Sequence, residues 1–161
     1  MRQFRHFASY TQPGQVGETK LTAGQYYIYV IQNDVKTEGG LQHNLKIGIT
    51  THARYRMRQL SGSNTGGNPI SRIAVSEPTY LYTIEPLAHQ HFTAYRIPGT
   101  EWFHGDDLTF DDVVTYLDEL FASEEYRLCN QVREAYTAKH GPQRSVKERA
   151  ENETESCSGH C

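Results

Sequence analysis

The sequence predicts an α+β fold: a small, mainly antiparallel sheet of three strands flanked by helices, with extra helices at the C-terminal end. Three short segments rich in β-branched and aromatic residues, at 26–32, 45–50 and 70–75, indicate the strands. Apolar residues at helical spacing lie between and after them. The resulting order begins with a β-β-α-β-α core, and 161 residues suffice for one domain around a single core.

The first two strands are predicted to be antiparallel neighbours. They read YYIYVIQ at 26–32 and LKIGIT at 45–50. The polar segment 33–44, which contains Gly39-Gly40, is predicted to be a long hairpin loop, because a parallel pair needs a longer crossover. Residues 1–23 lack periodicity and are expected to form an irregular N-terminal arm.

Four helices are expected. Residues 52–60 carry an apolar stripe and are followed by a turn-rich loop at 61–69. Residues 79–95 have helical periodicity, but Pro86 fits best in a first turn, so this helix begins near Glu85 or is kinked there. Thr109 and Asp112 form a capping-box pattern before the third helix. The fourth spans about 124–139 and ends at Gly141, so the domain covers 24–140 and a disordered tail covers 141–161.

Composition limits the class of protein. No apolar stretch approaches the roughly 20 residues that span a bilayer, and the N-terminus lacks the apolar run of a secretory signal. We therefore expect no membrane partner and a cytoplasmic or nuclear location. Residues 1–100 carry ten Lys/Arg against five Asp/Glu, whereas residues 101–161 carry six against fourteen. The basic half can supply a nucleic-acid surface, although both halves are also compatible with ordinary solvated faces.

The predicted elements place several reactive side chains beside the sheet. Phosphodiester hydrolysis needs a base that deprotonates water, a cation that stabilises phosphate, and a carboxylate that holds a hard metal ion. Side chains of these types lie on the first strand (Tyr27 and Tyr29), the second strand (Lys46), the first helix (Arg54, Arg56 and Arg58) and one face of the second helix (Glu85 and His89).

This arrangement resembles the GIY-YIG nuclease superfamily, and within it the branch of phage Orf-type or meiotically up-regulated DNA-binding domains. Segments 27–29 (YIY) and 46–48 (KIG) are similar to the two motifs that name the superfamily. A KIGIT strand, an RxxQL helix, an ExxxHxxF helix and an EWF ending recur in that branch. They match residues 46–50, 56–60, 85–92 and 101–103, so the resemblance covers about residues 24–120.

The resemblance implies a role for each matching residue. Tyr29 corresponds to the tyrosine that positions or deprotonates the attacking water, with Tyr27 as the alternative in register. Arg56 corresponds to the arginine that stabilises the phosphate, and Glu85 to the single carboxylate that binds Mg²⁺ or Mn²⁺. Gly48 corresponds to a glycine at a position where a side chain would crowd the site. The competing interpretations are a packed strand tyrosine, a solvated arginine, a helix-capping glutamate and a strand bulge.

Other residues are expected to assist. Lys46 can activate water or bind phosphate, and Arg54 and Arg58 are candidate DNA contacts. His89 can orient a water, contact phosphate or bond a neighbour. The implied protein is a metal-dependent DNA endonuclease without a small-molecule cofactor.

Two departures from the family pattern leave alternatives open. The first motif opens on Tyr27 where the family has glycine, and the second has Lys46 where the family name has tyrosine. Many relatives also carry a late asparagine, and Asn130 is the only asparagine of the late helices. A catalytically inactive DNA-binding module of the same fold, or a protein-interaction domain formed by the acidic helical half, are the other two hypotheses.

Overall fold

The computed structural model describes residues 4–7, 18–62 and 69–141, and it contains one antiparallel sheet packed between helices. The predicted β-β-α-β-α core is confirmed, and it is followed by a short strand and two helices. In chain order the elements are β1 (Phe4–Phe7), β2 (Tyr27–Thr37), β3 (Gly40–Thr50), α1 (Ala53–Gly62), β4 (Ile70–Ser76), α2 (Ile84–His91), β5 (Trp102–His104), α3 (Phe110–Ala122) and α4 (Glu124–His140).

The sheet has five strands in the order β1-β4-β2-β3-β5, so the predicted count of three is wrong. Both additional strands lie at the edges. β1 comes from the arm that was predicted to be irregular and pairs with β4, while β5 pairs with β3. They contain only four and three residues, too few to display an alternating pattern, and each is defined by the edge it pairs with rather than by its own sequence.

The connection between β2 and β3 also differs from its prediction as a long loop. Pairing continues along the whole hairpin to Thr37 and Gly40, so that only two residues form the turn. Gly40 has a φ of +119° at the turn, a conformation that favours glycine. The far part of the hairpin is exposed on both faces, which explains its polar composition and the absence of a hydrophobic alternation.

Alternation along the strands separates two apolar clusters. Tyr29 and Ile31 face α1, and they pack with Met57 on one side of the sheet. Ile28 and Val30 face the opposite side, where α2 and α3 pack over a larger cluster. The protein thus has three layers, with the sheet in the middle.

The helices confirm most of the local predictions. Thr109 and Asp112 form a reciprocal capping box at the start of α3. Pro86 is the third residue of α2, within its first turn, where its missing N–H leaves no broken helical bond. The helix begins at Ile84, close to the predicted start near Glu85, and ends at His91, short of the end of the periodic segment 79–95. Thr79, at the start of that segment, pairs with Tyr26 as an isolated bridge.

None of the helices in these described ranges is both long and apolar enough to cross a membrane. Most of the predicted turn-rich loop, residues 63–68, and the predicted disordered tail from residue 142 to residue 161 lie outside the described residues.

Candidate active site

The ring of Tyr29 lies across Gly48 on the neighbouring strand. These two residues are direct partners in the register of β2 and β3. A Cβ atom built on Gly48 would lie 2.2 Å from the Tyr29 hydroxyl oxygen, far inside contact distance. A side chain at Gly48 would therefore collide with the Tyr29 ring, and the role of Gly48 in a catalytic site stays a prediction. The absence of a side chain at this position creates the space in which the tyrosine hydroxyl lies.

Arg56 of α1 approaches the same hydroxyl from above the sheet. Its Nε donates a hydrogen bond of 3.2 Å to the Tyr29 oxygen, and its Nη1 donates to Gln59 at 3.3 Å. Arg56 points toward the sheet because Met57 and Leu60 anchor the inner face of α1. A phenol oxygen that accepts one such bond retains a proton and a second lone pair for a water or phosphate oxygen.

Burial and Arg56 shift the pKa of Tyr29 in opposite directions. Burial raises the pKa of the phenol, while the hydrogen bond and the charge of Arg56 lower it, and the net pKa is raised. Reciprocally, the tyrosine raises the pKa of Arg56, which stays cationic. At neutral pH, in the absence of ligands, the pair is thus a neutral phenol beside a positive guanidinium.

The outer edge of β3 carries the site because β5 covers only part of that edge. β5 pairs with β3 only from Asn44 to Lys46. Immediately beyond that point α2 reaches the strand, and Nε2 of His89 lies 3.0 Å from the carbonyl oxygen of Ile47. His89 is also held by an edge-on contact with the ring of Phe103. The histidine therefore fixes α2 at the strand edge, and its Nε2 must carry a proton to donate this bond.

Glu85 precedes His89 by one helical turn and is carried to the same edge. Its Oε1 lies 4.0 Å from Nε2 of His89, and about seven tenths of the side chain is buried. Burial raises the pKa of this carboxyl, and the charge of Glu101 adds to the effect, while His89, Lys46 and Arg56 partly offset it. A carboxylate that is desolvated and incompletely balanced by cations is a suitable ligand for an added cation.

Lys46 has a partner that we did not predict. Its Nζ donates to Oε2 of Glu101 at 2.5 Å and lies 5.7 Å from the centre of the Trp102 ring. The bond from Lys46 lowers the pKa of Glu101. In the sequence, Glu101 stands out only as the first residue of the EWF pattern. Glu101 directly precedes Trp102, which pairs with Lys46, so knowledge of this strand pairing would have predicted the contact. A strand of three residues is too short for its pairing to be predicted from sequence.

Not all predicted residues lie at this edge. The hydroxyl of Tyr27 donates to the carbonyl of Thr19, and its charged neighbours are Glu18, Arg5 and Glu77 instead of those around Tyr29. Arg54 and Arg58 are exposed along α1. Tyr27 is thus a buried strand tyrosine covered by segment 18–22. Arg54 and Arg58 lie on the exposed surface of α1, the helix that also carries Arg56.

Asn130 of α4 binds the segment that precedes α2. Its side-chain oxygen accepts from the Thr79 hydroxyl at 3.1 Å and from the Tyr80 amide at 2.9 Å. These bonds connect α4 to the segment that leads into α2. Asn130 therefore fixes the chain a few residues before Glu85.

The residues fit a metal site with one protein ligand. Within the described ranges, no three Asp, Glu, His or Cys side chains cluster closely enough to enclose an ion. Glu85 presents one carboxylate at an open strand edge, and an ion held there would keep most of its ligands as waters and substrate oxygens. Mg²⁺ and Mn²⁺ tolerate such a set, since Mg²⁺ in particular retains several waters.

Comparison with known proteins identifies the family of the chain. No curated protein and no solved structure matches it significantly. Residues 26–121, well over half of the chain, match the T5orf172 domain, and no separate GIY-YIG family matches. This domain occurs in phage Orf proteins and is associated with a GIY-YIG-like nuclease fold. The match includes every residue of the strand edge described above, and the chain therefore belongs to the T5orf172 domain family.

Proposed function

We propose that this protein is a DNA endonuclease that hydrolyses phosphodiester bonds with one Mg²⁺ or Mn²⁺ bound at Glu85. The observation that carries the proposal is the pairing of Tyr29 and Arg56 over Gly48, next to a largely buried carboxylate at an open strand edge. Membership of the T5orf172 family supports a nuclease or DNA-binding role in general. The specific reaction is our inference from the residues.

In this proposal Arg56 binds the scissile phosphate. Nε is engaged by Tyr29 and Nη1 by Gln59, so the guanidinium is held in a fixed orientation. Its remaining N–H donors can bind two phosphate oxygens, and a preorganised cation stabilises the charge that develops in the transition state. Lys46, restrained by Glu101, contributes a second positive charge on the same face of the sheet.

Tyr29 holds the attacking water in place. Because its pKa is raised, the phenol is neutral in the ligand-free protein. This favours a role in which Tyr29 positions the water by hydrogen bonding, and not one in which it removes a proton from the water. The bound ion would supply positive charge near the reacting phosphate and favour ionisation of water. His89 keeps α2, and with it Glu85, at the strand edge through the Ile47 carbonyl.

DNA would approach along α1. Arg54 and Arg58 are exposed on this helix, one turn apart, on either side of Arg56 in sequence. Contacts of this kind bind phosphates without reading sequence and make affinity fall with salt.

The decisive test is Glu85→Gln in a plasmid-nicking assay with Mg²⁺ and with Mn²⁺. The amide keeps the size of the side chain but is a poor ligand for a hard cation, so cleavage should fall by at least about 100-fold while the fold is retained. Glu134→Gln, an exposed substitution on α4, is the matched control and should cleave like the wild type. Undiminished metal-dependent cleavage by Glu85→Gln would overturn the assignment.

A binding-only function is the second candidate, and the ion pair between Lys46 and Glu101 favours it, since the lysine is already neutralised. The wild-type protein would then bind DNA in a salt-dependent way without nicking it with any divalent ion. Absence of DNA binding at low salt would instead support a protein-interaction domain.

A further inference from the structure

A groove of about 400 Å³ adjoins the candidate active site on its outer side. It lies between the ends of β2 and β3 and the first turns of α1. Arg56 belongs to both regions, because its guanidinium bonds Tyr29 and its side chain also lines the groove. Any group that occupies the groove is therefore next to the phosphate position at Arg56. The groove is also lined by Tyr26, Thr50, Thr51, Tyr55 and Gln59.

Tyr55 is the unusual residue of this groove. It is 60% exposed, although it lies at the start of a helix whose inner face is well buried. Tyr55 and Gln59 are four residues apart, so they share a face of α1. The amide oxygen of Gln59 accepts from Arg56, and the same amide carries an NH₂ donor group. An aromatic ring and an amide donor are thus exposed side by side, directly next to the phosphate-binding arginine.

The chemistry of the lining points to one class of ligand. Its side chains are aromatic, hydroxyl, amide, basic and, at Ile49, apolar, and none of the described residues that line it carries a carboxylate. Aromatic rings bind nucleobases by stacking, and amides and hydroxyls bond to base edges. A base stacked inside a continuous duplex cannot reach a groove of this kind, so the occupant must be unpaired.

We propose that this groove binds one unpaired nucleobase of the substrate, stacked on Tyr55, adjacent to the nucleotide whose phosphate lies at Arg56. The inference rests on the proposed function and sharpens it. The preferred substrate is then DNA that carries an unpaired nucleotide, such as an overhang, flap or bulge, and continuous duplex is a poorer substrate. Tyr55 acts in binding, and the reacting atoms are handled by the residues of the strand edge.

The test measures binding in the Glu85→Gln background, so that cleavage does not enter. Fluorescence anisotropy compares a labelled blunt duplex with the same duplex carrying a three-nucleotide overhang, without divalent ions. We expect about tenfold tighter binding of the overhang, from the stacking of one base. Adding Tyr55→Ala should remove this preference and leave blunt-duplex affinity unchanged. Tyr55→Phe, which keeps the ring, should retain it.

Tyr82→Ala is the matched control. Tyr82 is a 47% exposed tyrosine outside the groove, with Arg133 over its ring, and its removal should leave the preference intact. A 2-aminopurine at the unpaired position adds a direct reading, because stacking on Tyr55 quenches its fluorescence. Equal affinity for both DNAs, or equal losses in the Tyr55 and Tyr82 variants, would overturn the inference. A preference that depends on Tyr55 in a protein that never cleaves would sustain it while refuting the endonuclease proposal.

Discussion

The two faces of the sheet are made of the same strands and are used differently. The face toward α2 and α3 is almost wholly apolar, and its cluster includes Ile28, Val30 and Leu117. The face toward α1 has a smaller cluster, and beside it the same strands present Tyr29, Gly48 and Lys46. One residue of shift along β2 thus exchanges a core position for a site position.

The difference shows how a small domain can hold buried polar groups. Burial of apolar surface on the α2 and α3 side supplies stability, so the α1 side can accommodate a desolvated tyrosine and an arginine. The site itself forms where the two sides meet. Arg56 comes from the helix on one face and Glu85 from a helix on the other, and both reach the edge of β3.

The largest effect on stability is expected on the apolar face. Leu117→Ala removes a fully buried side chain of α3 and should lower the free energy of unfolding by about 2–5 kcal/mol in urea denaturation. Leu128→Ala, at a 48% exposed position of α4, should change it by less than about 0.5 kcal/mol. Cleavage per folded Leu117→Ala molecule should equal that of the wild type. A large loss would show that the two faces are not separable.

Gly48→Ala tests the other face. The added methyl group would collide with the Tyr29 ring, so we expect a loss of about 1–3 kcal/mol in stability and of about 100-fold in cleavage. Gly39→Ala in the hairpin turn is the control, because a Cβ there would meet only the Thr37 hydroxyl, at 3.8 Å.

A double-mutant cycle identifies the clash as the cause. In a Tyr29→Ala background the methyl group at position 48 has room, so its cost in unfolding free energy should shrink by about 0.5 kcal/mol or more. An unchanged cost would mean that Gly48 is required for its backbone and not for the close approach of the tyrosine.

The smallest effect concerns Glu101 and depends on pH. Lys46 lowers the pKa of this carboxyl in the folded protein, so the ion pair stabilises the fold above the pKa of the unfolded chain. The contribution is lost as pH falls through the lowered value. Glu101→Gln should cost under about 1 kcal/mol at neutral pH, because the glutamate is 65% exposed and screened by solvent.

Urea titrations from about pH 7 to about pH 3 check this sign. The difference between wild type and Glu101→Gln should vanish at the acid end. Glu38→Gln, at the exposed hairpin turn, should show no such convergence. A difference that grows toward acid pH would mean that the pairing with Lys46 does not stabilise the fold.

The sequence was sufficient to predict features that depend on a periodic pattern or on residues close together in the chain. The alternation in β2 identified the face of Tyr29, and the pattern around Thr109 identified its capping box. The family resemblance also selected Gly48, where a side chain would collide with Tyr29. The sequence was insufficient where a structure depends on pairing between distant segments. The short strands β1 and β5 and the partnership of Glu101 with Lys46 arise from register across the sheet.

The brevity of β5 has a consequence for how such domains diversify. Because β5 pairs with only three residues of β3, the next backbone groups of that strand remain accessible to α2. A β5 longer by two residues would occupy this position and displace the helix that carries Glu85. The length of this edge strand therefore determines whether α2 can reach β3. Insertions or deletions of a few residues in β5 could thus create or remove the candidate site while the core stays unchanged.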